Sequence, residues 1–209
     1  MPSTCYTQPI VNTDQHVSDN IFQQGYHVAD NFLAEHHYQA LLATLQAMHS
    51  DGRLRNAKIG ANQDTLLNTN IRGDQLHWLD DSGDDPAITA YFAAINTIRT
   101  QLNRSLFLGL MDFETHFALY EPGSFYQKHV DQFTTKQDRR ISCVYYLNHG
   151  WQSAFGGELA IYDIHEQELC SIQPQANRFV CFSSDLPHEV QTTHQVRYSI
   201  AGWLKTRPA

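Results

Sequence analysis

Two segments in the N-terminal half repeat apolar residues at the spacing of an amphipathic helix. The first begins after Asp30, a candidate N-cap, and stops near Gly52. Its apolar face consists of Leu41, Leu42, Leu45 and Met48. The second follows Asp84 and Asp85, either of which can cap it, and has Pro86 in its first turn. Its apolar face consists of Ile88, Tyr91, Phe92, Ile95, Ile98 and Leu102. Because both faces are typical of packing surfaces, the pattern predicts two helices.

The pattern changes from about residue 113, where short apolar or alternating runs follow one another. These runs are HFALY, ISCVYYLN, GELAIYD, ELCSIQP, RFVCFSS, HEVQTT and VRYSIAGWLK. Turn signals such as EPGS, NHGWQSAFGG and PQAN separate them. Many short strands at near-regular spacing are typical of a β-sandwich or barrel. The predicted fold class is therefore α+β, with two helices on the flank of a β jelly roll.

The chain is expected to form one domain with an N-terminal extension. Residues 1–25 are predicted to be an arm, and residues 26–209 a single domain. Within that domain, residues 53–70 (RLRNAKIGANQDTLLNTN) are polar and poorly periodic. We interpret them as a long mobile loop, since loops of this length inside a domain are usually functional or disordered.

Composition and charge narrow the expected partners and location. The chain has 209 residues and a formal net charge of −8, and an acidic balance disfavours nucleic acid and anionic membranes as partners. The first twenty residues lack the regions of a signal peptide, and no run of about 18 apolar residues is present. Four cysteines, Cys5, Cys143, Cys170 and Cys181, show no C-x-x-C spacing. We therefore expect reduced thiols and a cytoplasmic protein, and we expect a monomer.

His129 and Asp131 lie two positions apart in YQKHVDQF, residues 126–133. If this segment is a strand, both side chains point the same way, because strand residues alternate between faces. A buried carboxylate needs a partner, and a metal ion is an effective one. The chain has twelve histidines, so this pair alone is more typical of a structural contact. A metal site requires at least one further ligand.

Two downstream residues change the interpretation of that pair. His188, in DLPHEV, follows the apolar run RFVCFSS and would bring a second imidazole from the far side of a jelly roll. Two imidazoles and one carboxylate favour non-haem Fe(II) with open coordination positions. Arg197 follows nine residues later on the apolar strand VRYSIAGW. Its guanidinium suits a carboxylate bidentately, so it would hold a small acid whose other end reaches the metal.

The order Y-x-x-H-x-D, YYLN, W, GGEL, P-H-E-V and R-Y-S-I-x-x-W resembles the Fe(II)- and 2-oxoglutarate-dependent dioxygenases. It resembles more narrowly the prolyl 4-hydroxylase branch, which includes the oxygen-sensing prolyl hydroxylases and their bacterial relatives. DGRL, IRGD and Trp78 are similar to that branch too, so the likeness covers roughly residues 28–205. It implies a double-stranded β-helix (jelly roll) with flanking N-terminal helices.

The resemblance also implies roles for individual residues. His129, Asp131 and His188 would be the iron ligands and form the catalytic centre with Arg197. Arg197 would pair with the distal carboxylate of 2-oxoglutarate, and Tyr146 would hydrogen-bond the same carboxylate. The other implied site residues are Tyr120 beside the cosubstrate and, on the substrate side, Tyr126, Trp203, Arg53 and Arg55.

The activity implied is C4 hydroxylation of a prolyl residue in a protein substrate. Fe(II), 2-oxoglutarate, O2 and ascorbate are the implied cofactors and cosubstrates, with succinate and CO2 as co-products. In the bacterial relatives, elongation factor Tu is the implied partner. The loop at 53–70 would fold over the peptide, where Arg53, Arg55 and Lys58 meet acidic groups. One departure is Ala201, which stands where the animal enzymes carry a hydroxyl residue near the cosubstrate.

Other functions remain open at this point. A hydroxylase of a free amino acid or another small molecule would share every metal and cosubstrate residue. A catalytically silent peptide-binding jelly roll would lack a ligand, and a cupin-like metal enzyme would need an H-x-H pair, which the chain lacks. The segment IRGD at 71–74 is interpreted as a turn or strand edge. The other ten histidines, His116 among them, are interpreted as surface, capping or hydrogen-bonded polar residues.

Overall fold

The computed structural model describes residues 13–57, 71–81, 83–132 and 137–206. Within them the chain forms three α-helices, α1 (Thr13–Gln24), α2 (Glu35–Ser50) and α3 (Pro86–Leu106), and a short 3-10 helix at Ser153–Phe155. The first six strands are β1 (Tyr26–Asp30), β2 (Arg55–Asn56), β3 (Asp74–Leu79), β4 (Asp112–Tyr120), β5 (Tyr126–His129) and β6 (Arg139–Tyr146). The others are β7 (Leu159–Tyr162), β8 (Glu168–Ile172), β9 (Arg178–Ser183), β10 (His188–Val190) and β11 (Arg197–Lys205).

The strands form two antiparallel sheets that face each other. The larger sheet has the order β1-β9-β6-β11-β4-β3-β2, and the smaller has the order β5-β10-β7-β8. Neighbours that are distant in sequence, such as β11 between β4 and β6, give the crossed connectivity of a jelly roll. The predicted α+β class with a double-stranded β-helix and flanking N-terminal helices is confirmed.

The two faces of the larger sheet have different partners. Alternate residues such as Phe117, Tyr145 and Phe179 point outward and pack with the three helices in the main hydrophobic core. The residues between them point toward the smaller sheet, where Val180 and Phe182 pack with Ile161. The helices thus support the sheet from one side and leave its inner face available to line a pocket.

Two of the helices were expected, and capping explains where one of them begins. Helix α3 begins where predicted, because the Asp85 side chain accepts hydrogen bonds from the Ala87 and Ile88 backbone N–H groups at 2.8 and 3.3 Å. Helix α2 begins at Glu35 rather than after Asp30. Asp30 is not its N-cap, because it ends β1 and pairs with Arg178 at 2.6 Å.

The sequence analysis missed helix α1, which lies inside the predicted arm. Its sequence, TDQHVSDNIFQQ, is mostly polar and shows no broad apolar stripe. Its fully buried apolar residue is Val17, and the helix packs against α3. Residues 1–12 of the predicted arm lie outside the described residues.

The predicted loop at 53–70 is described only at its start. There Arg55–Asn56 forms the edge strand β2, which pairs with β3. The rest of the loop, including Lys58, lies outside the described residues. Beyond it, IRGD at 71–74, which was interpreted as a turn or strand edge, leads into β3. Strand β3 pairs with β4 along its whole length.

The helices and the cysteines relate to the expectations about membrane spans and thiols. Among the described helices, none combines the length and hydropathy needed to cross a lipid bilayer. The described cysteines, Cys143, Cys170 and Cys181, are free and buried.

The cap of α3 can be tested directly. Asp85→Ala should lower the free energy of unfolding by about 1 kcal/mol, since two helical N–H groups lose their acceptor. Urea denaturation followed by circular dichroism measures the loss. The neighbouring exposed Asp84→Ala is the matched control and should change stability by less than about 0.5 kcal/mol. Equal losses in both variants would contradict the cap.

Candidate active site

Three potential metal ligands meet where the smaller sheet faces the larger. His129 ends β5 and His188 begins β10, and these two residues lie directly opposite each other in the antiparallel pair. Asp131 lies in a bend just past β5 rather than on the strand. The sequence analysis had placed it on the strand, but the backbone leaves β5 at His129 and Gln132 bonds across to the Ser184 carbonyl oxygen. Asp131 still turns toward both imidazoles.

The ligand atoms of these three residues all lie within 4.8 Å of one another. Nε2 of His129 is 3.5 Å and Nε2 of His188 is 3.4 Å from the Asp131 carboxylate. Each ring is oriented through its other nitrogen, since Nδ1 of His129 lies 2.7 Å from the Gln127 carbonyl oxygen and Nδ1 of His188 lies 3.0 Å from that of Leu186. Backbone carbonyls that engage Nδ1 leave both Nε2 atoms directed at a common point.

The Asp131 carboxylate is held by a hydroxyl network from the larger sheet. The Ser142 hydroxyl on β6 donates to Asp131 Oδ2 at 2.7 Å and lies 3.0 Å from the Ser184 hydroxyl. Aromatic side chains pack against both imidazole rings. Tyr126 stacks on His129 at 3.6 Å, and Phe182 meets His188 edge-on at 4.7 Å.

Burial and mutual charge shift the pKa values of the three groups in different directions. Burial of Asp131 alone would raise its pKa, but the two histidines place the pKa of this carboxyl well below its usual range. Burial lowers the pKa of His129. Burial also acts to lower the pKa of His188, but the Asp131 charge and hydrogen bond more than offset it and raise that pKa. The carboxylate is therefore ionised, as a metal ligand must be.

Arg197 lies at the other end of the same pocket. It is 1 % exposed and is the largest fully buried side chain of the described residues. Its Nε donates to the Gly157 carbonyl oxygen at 2.9 Å, and its guanidinium carbon lies 5.0 Å from the ring centres of both Tyr120 and Tyr146. In the described part of the chain, no acidic side chain forms an ion pair with it.

The Tyr146 hydroxyl beside this guanidinium is buried as well. No hydrogen bond of ordinary geometry reaches it from the described residues. Burial raises the pKa values of Tyr146 and Tyr120, so both hydroxyls are neutral and available as donors. A buried cation and a buried unpartnered hydroxyl are together suited to an anion supplied from outside the chain.

The structure separates the remaining predicted residues into two groups. Tyr126 and Trp203 line the pocket with the three potential metal ligands. Arg53 and Arg55 do not, because they lie on an exposed groove beside it, together with Trp78. These two arginines are therefore placed outside the pocket, next to its rim.

Sequence reasoning missed several polar residues that line the pocket, among them Arg72, Asp74 and His116. Asp74 is 2 % exposed and is bound bidentately by Arg72 at 2.7 and 2.6 Å. Arg72 also lies over the Tyr126 ring at 4.5 Å. The alternation of His116, Ala118 and Tyr120 along β4 was the available signal for His116, since it places that residue on the same face as Tyr120.

Comparisons with known proteins agree with this geometry. Residues 115–205 match the model of the 2OG-Fe(II) oxygenase superfamily. A crystal structure of a Pseudomonas putida prolyl-4-hydroxylase is 38% identical, with a TM-score of 0.81, over 91% of this chain and 97% of that one. The chain belongs to the 2OG-Fe(II) oxygenases, in their prolyl hydroxylase branch.

Two further relatives of this oxygenase come from animals. Prolyl hydroxylase EGLN3 of Homo sapiens is 29% identical over 192 residues, which cover 88% of this chain and 79% of that protein. A Trichoplax adhaerens prolyl hydroxylase, solved with a hypoxia inducible factor peptide, has a TM-score of 0.83 at 24% identity, over 92% of this chain and 89% of that one. At that identity the likeness shows the shared fold.

This oxygenase is a 2-oxoglutarate-dependent dioxygenase of the prolyl hydroxylase type, with Fe(II), 2-oxoglutarate and O2 as its cofactor and cosubstrates. The residues present fit the metal. The donor set of two imidazole nitrogens and one ionised carboxylate within 4.8 Å suits Fe(II) and leaves coordination positions for small molecules.

The ion pair between Arg72 and Asp74 should be structural support for the pocket. Arg72→Met should lower the free energy of unfolding by about 3–5 kcal/mol, because it leaves a buried carboxylate without its partner. The double variant Arg72→Met/Asp74→Leu should lose less, since no buried charge remains. Chemical denaturation of both variants measures the difference. A double variant less stable than the single one would refute this account.

Proposed function

We propose that His129, Asp131 and His188 hold the iron and that the oxygenase hydroxylates a prolyl residue of a protein substrate at C4. The convergence of the three side chains and the orientation of both Nε2 atoms support the ligand assignment. Ser142 keeps the Asp131 carboxylate oriented through its hydrogen bond at 2.7 Å.

The observation that carries the proposal is the buried guanidinium of Arg197, which has no carboxylate partner in the described residues and lies in the same pocket as the three ligands. Arg197 binds the distal carboxylate of 2-oxoglutarate, and the Tyr146 hydroxyl donates to the same group. Tyr120 packs its ring against the guanidinium and closes that end to water. These residues would hold the cosubstrate in the pocket that the three proposed metal ligands also line.

Bound Fe(II), together with 2-oxoglutarate and O2, would supply the oxidising power to hydroxylate an unactivated C–H bond. Succinate and CO2 would be the co-products formed from 2-oxoglutarate. The protein contributes position and exclusion of water. Tyr126 holds the His129 ring by stacking, and Phe182 and Leu159 provide an apolar wall near the ligands. A dry, rigid wall restricts the reaction to a C–H bond that the substrate presents correctly.

A protein substrate is supported by the surface next to the pocket. Trp78 is 53% exposed on the groove that also carries Arg53 and Arg55. An exposed aromatic with flanking cations suits a peptide that carries acidic groups near its proline. The likeness to a bacterial prolyl-4-hydroxylase at 38% identity makes elongation factor Tu, the partner implied for the bacterial relatives, the first protein to test.

Succinate formation from 2-oxoglutarate tests this function. The assay contains Fe(II) and either no substrate, a panel of proline-containing peptides, or intact elongation factor Tu. The proposal expects substrate-stimulated turnover and a gain of one oxygen on a single proline, located by mass spectrometry. Turnover that no proline-containing substrate stimulates would refute it and would redirect the search to free amino acids and other small molecules.

The metal assignment predicts the effect of removing one ligand. Asp131→Ala should weaken Fe(II) binding by more than about 100-fold, since loss of an outer hydrogen-bond partner alone costs 10–100-fold. Anaerobic equilibrium dialysis measures the affinity. The exposed Asp185→Ala, just before His188 in the chain, is the matched control and should bind iron as the wild type does. Undiminished binding by Asp131→Ala would remove Asp131 from the ligand set.

The cosubstrate assignment predicts a defect specific to 2-oxoglutarate. Arg197→Met should raise the Kd for 2-oxoglutarate by roughly 30-fold or more, since loss of a buried charge partner costs about 2–5 kcal/mol. Isothermal titration of the metal-loaded protein gives the Kd. The exposed Arg140→Met should leave it unchanged. An equal Kd in both variants would mean that Arg197 does not contact the cosubstrate.

A further inference from the structure

His116 is a buried polar residue in the pocket with no role in the assignments above. It is 2 % exposed, lines the same pocket as the three proposed iron ligands, and lies on β4 facing the smaller sheet. Its Nδ1 is fully buried, and no described residue hydrogen-bonds it. The interpretation of His116 as a surface, capping or hydrogen-bonded residue is therefore wrong. An apolar side chain would fill this position without an unpaired nitrogen, which costs about 1–3 kcal/mol.

The imidazole is neutral, and its proton can be placed. Burial lowers the pKa of His116 to about 4, so one ring nitrogen carries a proton at pH 7 and the other does not. A buried acceptor without a partner is tolerated better than a buried N–H without one. The sealed Nδ1 is therefore the acceptor, and the proton lies on Nε2. The ring offers a hydrogen-bond donor to the pocket.

Neighbouring residues hold the ring in one orientation. It lies between Trp78, met edge-on at 4.9 Å, and Trp203 at 5.6 Å. Directly opposite on β11 stands Ala201, whose small side chain leaves room beside the imidazole. Two indoles and a methyl group offer no acceptor in the plane of the ring, so the Nε2–H is open to an acceptor that enters the pocket.

The position of His116 along β4 indicates which part of the pocket it lines. Tyr120 lies opposite Arg197 in the β4–β11 pair, and His116 is four residues away on the same face. This separation is about 13 Å along a strand, roughly twice the length of the extended carbon chain of 2-oxoglutarate. The end of the cosubstrate that Arg197 would anchor is therefore distant from His116. The two tryptophans, one exposed on the outer groove, place it on the substrate side.

A prolyl segment needs a donor at this point. Proline has no backbone N–H, so the peptide groups on either side of its ring offer the pocket mainly carbonyl acceptors. We propose that His116 is a substrate-binding residue, whose Nε2–H donates a hydrogen bond to a carbonyl oxygen of the prolyl segment being hydroxylated. This inference rests on the proposed function. It adds a hydrogen bond from the part of the pocket wall where the two tryptophans lie.

Two substitutions at one position separate the hydrogen bond from packing. His116→Phe keeps an aromatic ring between the two tryptophans and removes the donor. His116→Gln carries an amide N–H near the place of Nε2. The KM values for substrate and for 2-oxoglutarate are measured in both variants. The substrate is elongation factor Tu or, if the wild type leaves it unmodified, the peptide of the proline panel that it hydroxylates.

The proposal expects His116→Phe to raise the KM for the prolyl substrate 3- to 10-fold, the value of one neutral hydrogen bond of about 0.5–1.5 kcal/mol. The KM for 2-oxoglutarate should change less than about twofold, and His116→Gln should restore the substrate KM to within about twofold of the wild type. Equal substrate KM values in the wild type and His116→Phe, or no difference between Phe and Gln, would overturn it.

A measurement on the wild-type protein does not depend on the variants folding. Nitrogen-15 NMR of labelled histidine at pH 7 should show His116 neutral with its proton on Nε2. A proton on Nδ1, or a charged ring, would overturn the proposal. Failure of the proposed function is seen separately, because the wild type would then hydroxylate no prolyl substrate. In that case the assignment of His116 to a prolyl carbonyl fails with it.

Discussion

Two charges buried between facing sheets, and not paired with each other, set the conditions for the rest of this structure. Asp131 and Arg197 are 9 % and 1 % exposed and occupy different ends of one pocket. Removal of a charge from water is costly unless opposite charge and hydrogen bonds replace the water. Two histidines and a serine surround the carboxylate, whereas the guanidinium receives only neutral partners from the described residues. The guanidinium thus carries a buried positive charge that no acidic side chain of the described residues neutralises.

The jelly roll can hold such charges because the hydrophobic core and the pocket lie on opposite faces of the larger sheet. The outer face of the larger sheet and the three helices form the main hydrophobic core. This core supplies the burial that stabilises the domain, and the inner face is free to carry polar residues. The smaller sheet contributes His129 and His188 from paired positions of β5 and β10, so the pairing register itself sets the approach of the two imidazoles.

The pocket is polar at specific points and aromatic between them. Tyr126 connects several of these points, since it stacks on His129 on one side and lies under the Arg72 guanidinium on the other. Arg72 in turn holds the buried Asp74 on β3. The strand that carries His129, a proposed iron ligand, is therefore packed against the segment that follows the predicted loop. Such contacts keep ligand side chains in single rotamers, which a catalytic site needs.

The sequence by itself determined the fold class, the cap of α3, the strand runs after residue 113 and the set of His129, Asp131, His188 and Arg197. These features are local patterns or short motifs. Helix capping and strand alternation depend on residues that are neighbours in the sequence, so they can be predicted from it. Helix α1 was missed because its apolar face is too narrow to be recognised without α3 beside it. The bend that carries Asp131 off its strand depends on a contact with Ser184, which is distant in sequence. Burial of Arg72, Asp74 and His116 was decided only by the tertiary structure, because a polar residue in a strand is buried or exposed according to what packs over it. For His116, that covering comes from β3 and β11, about forty residues before it and eighty after it in the chain.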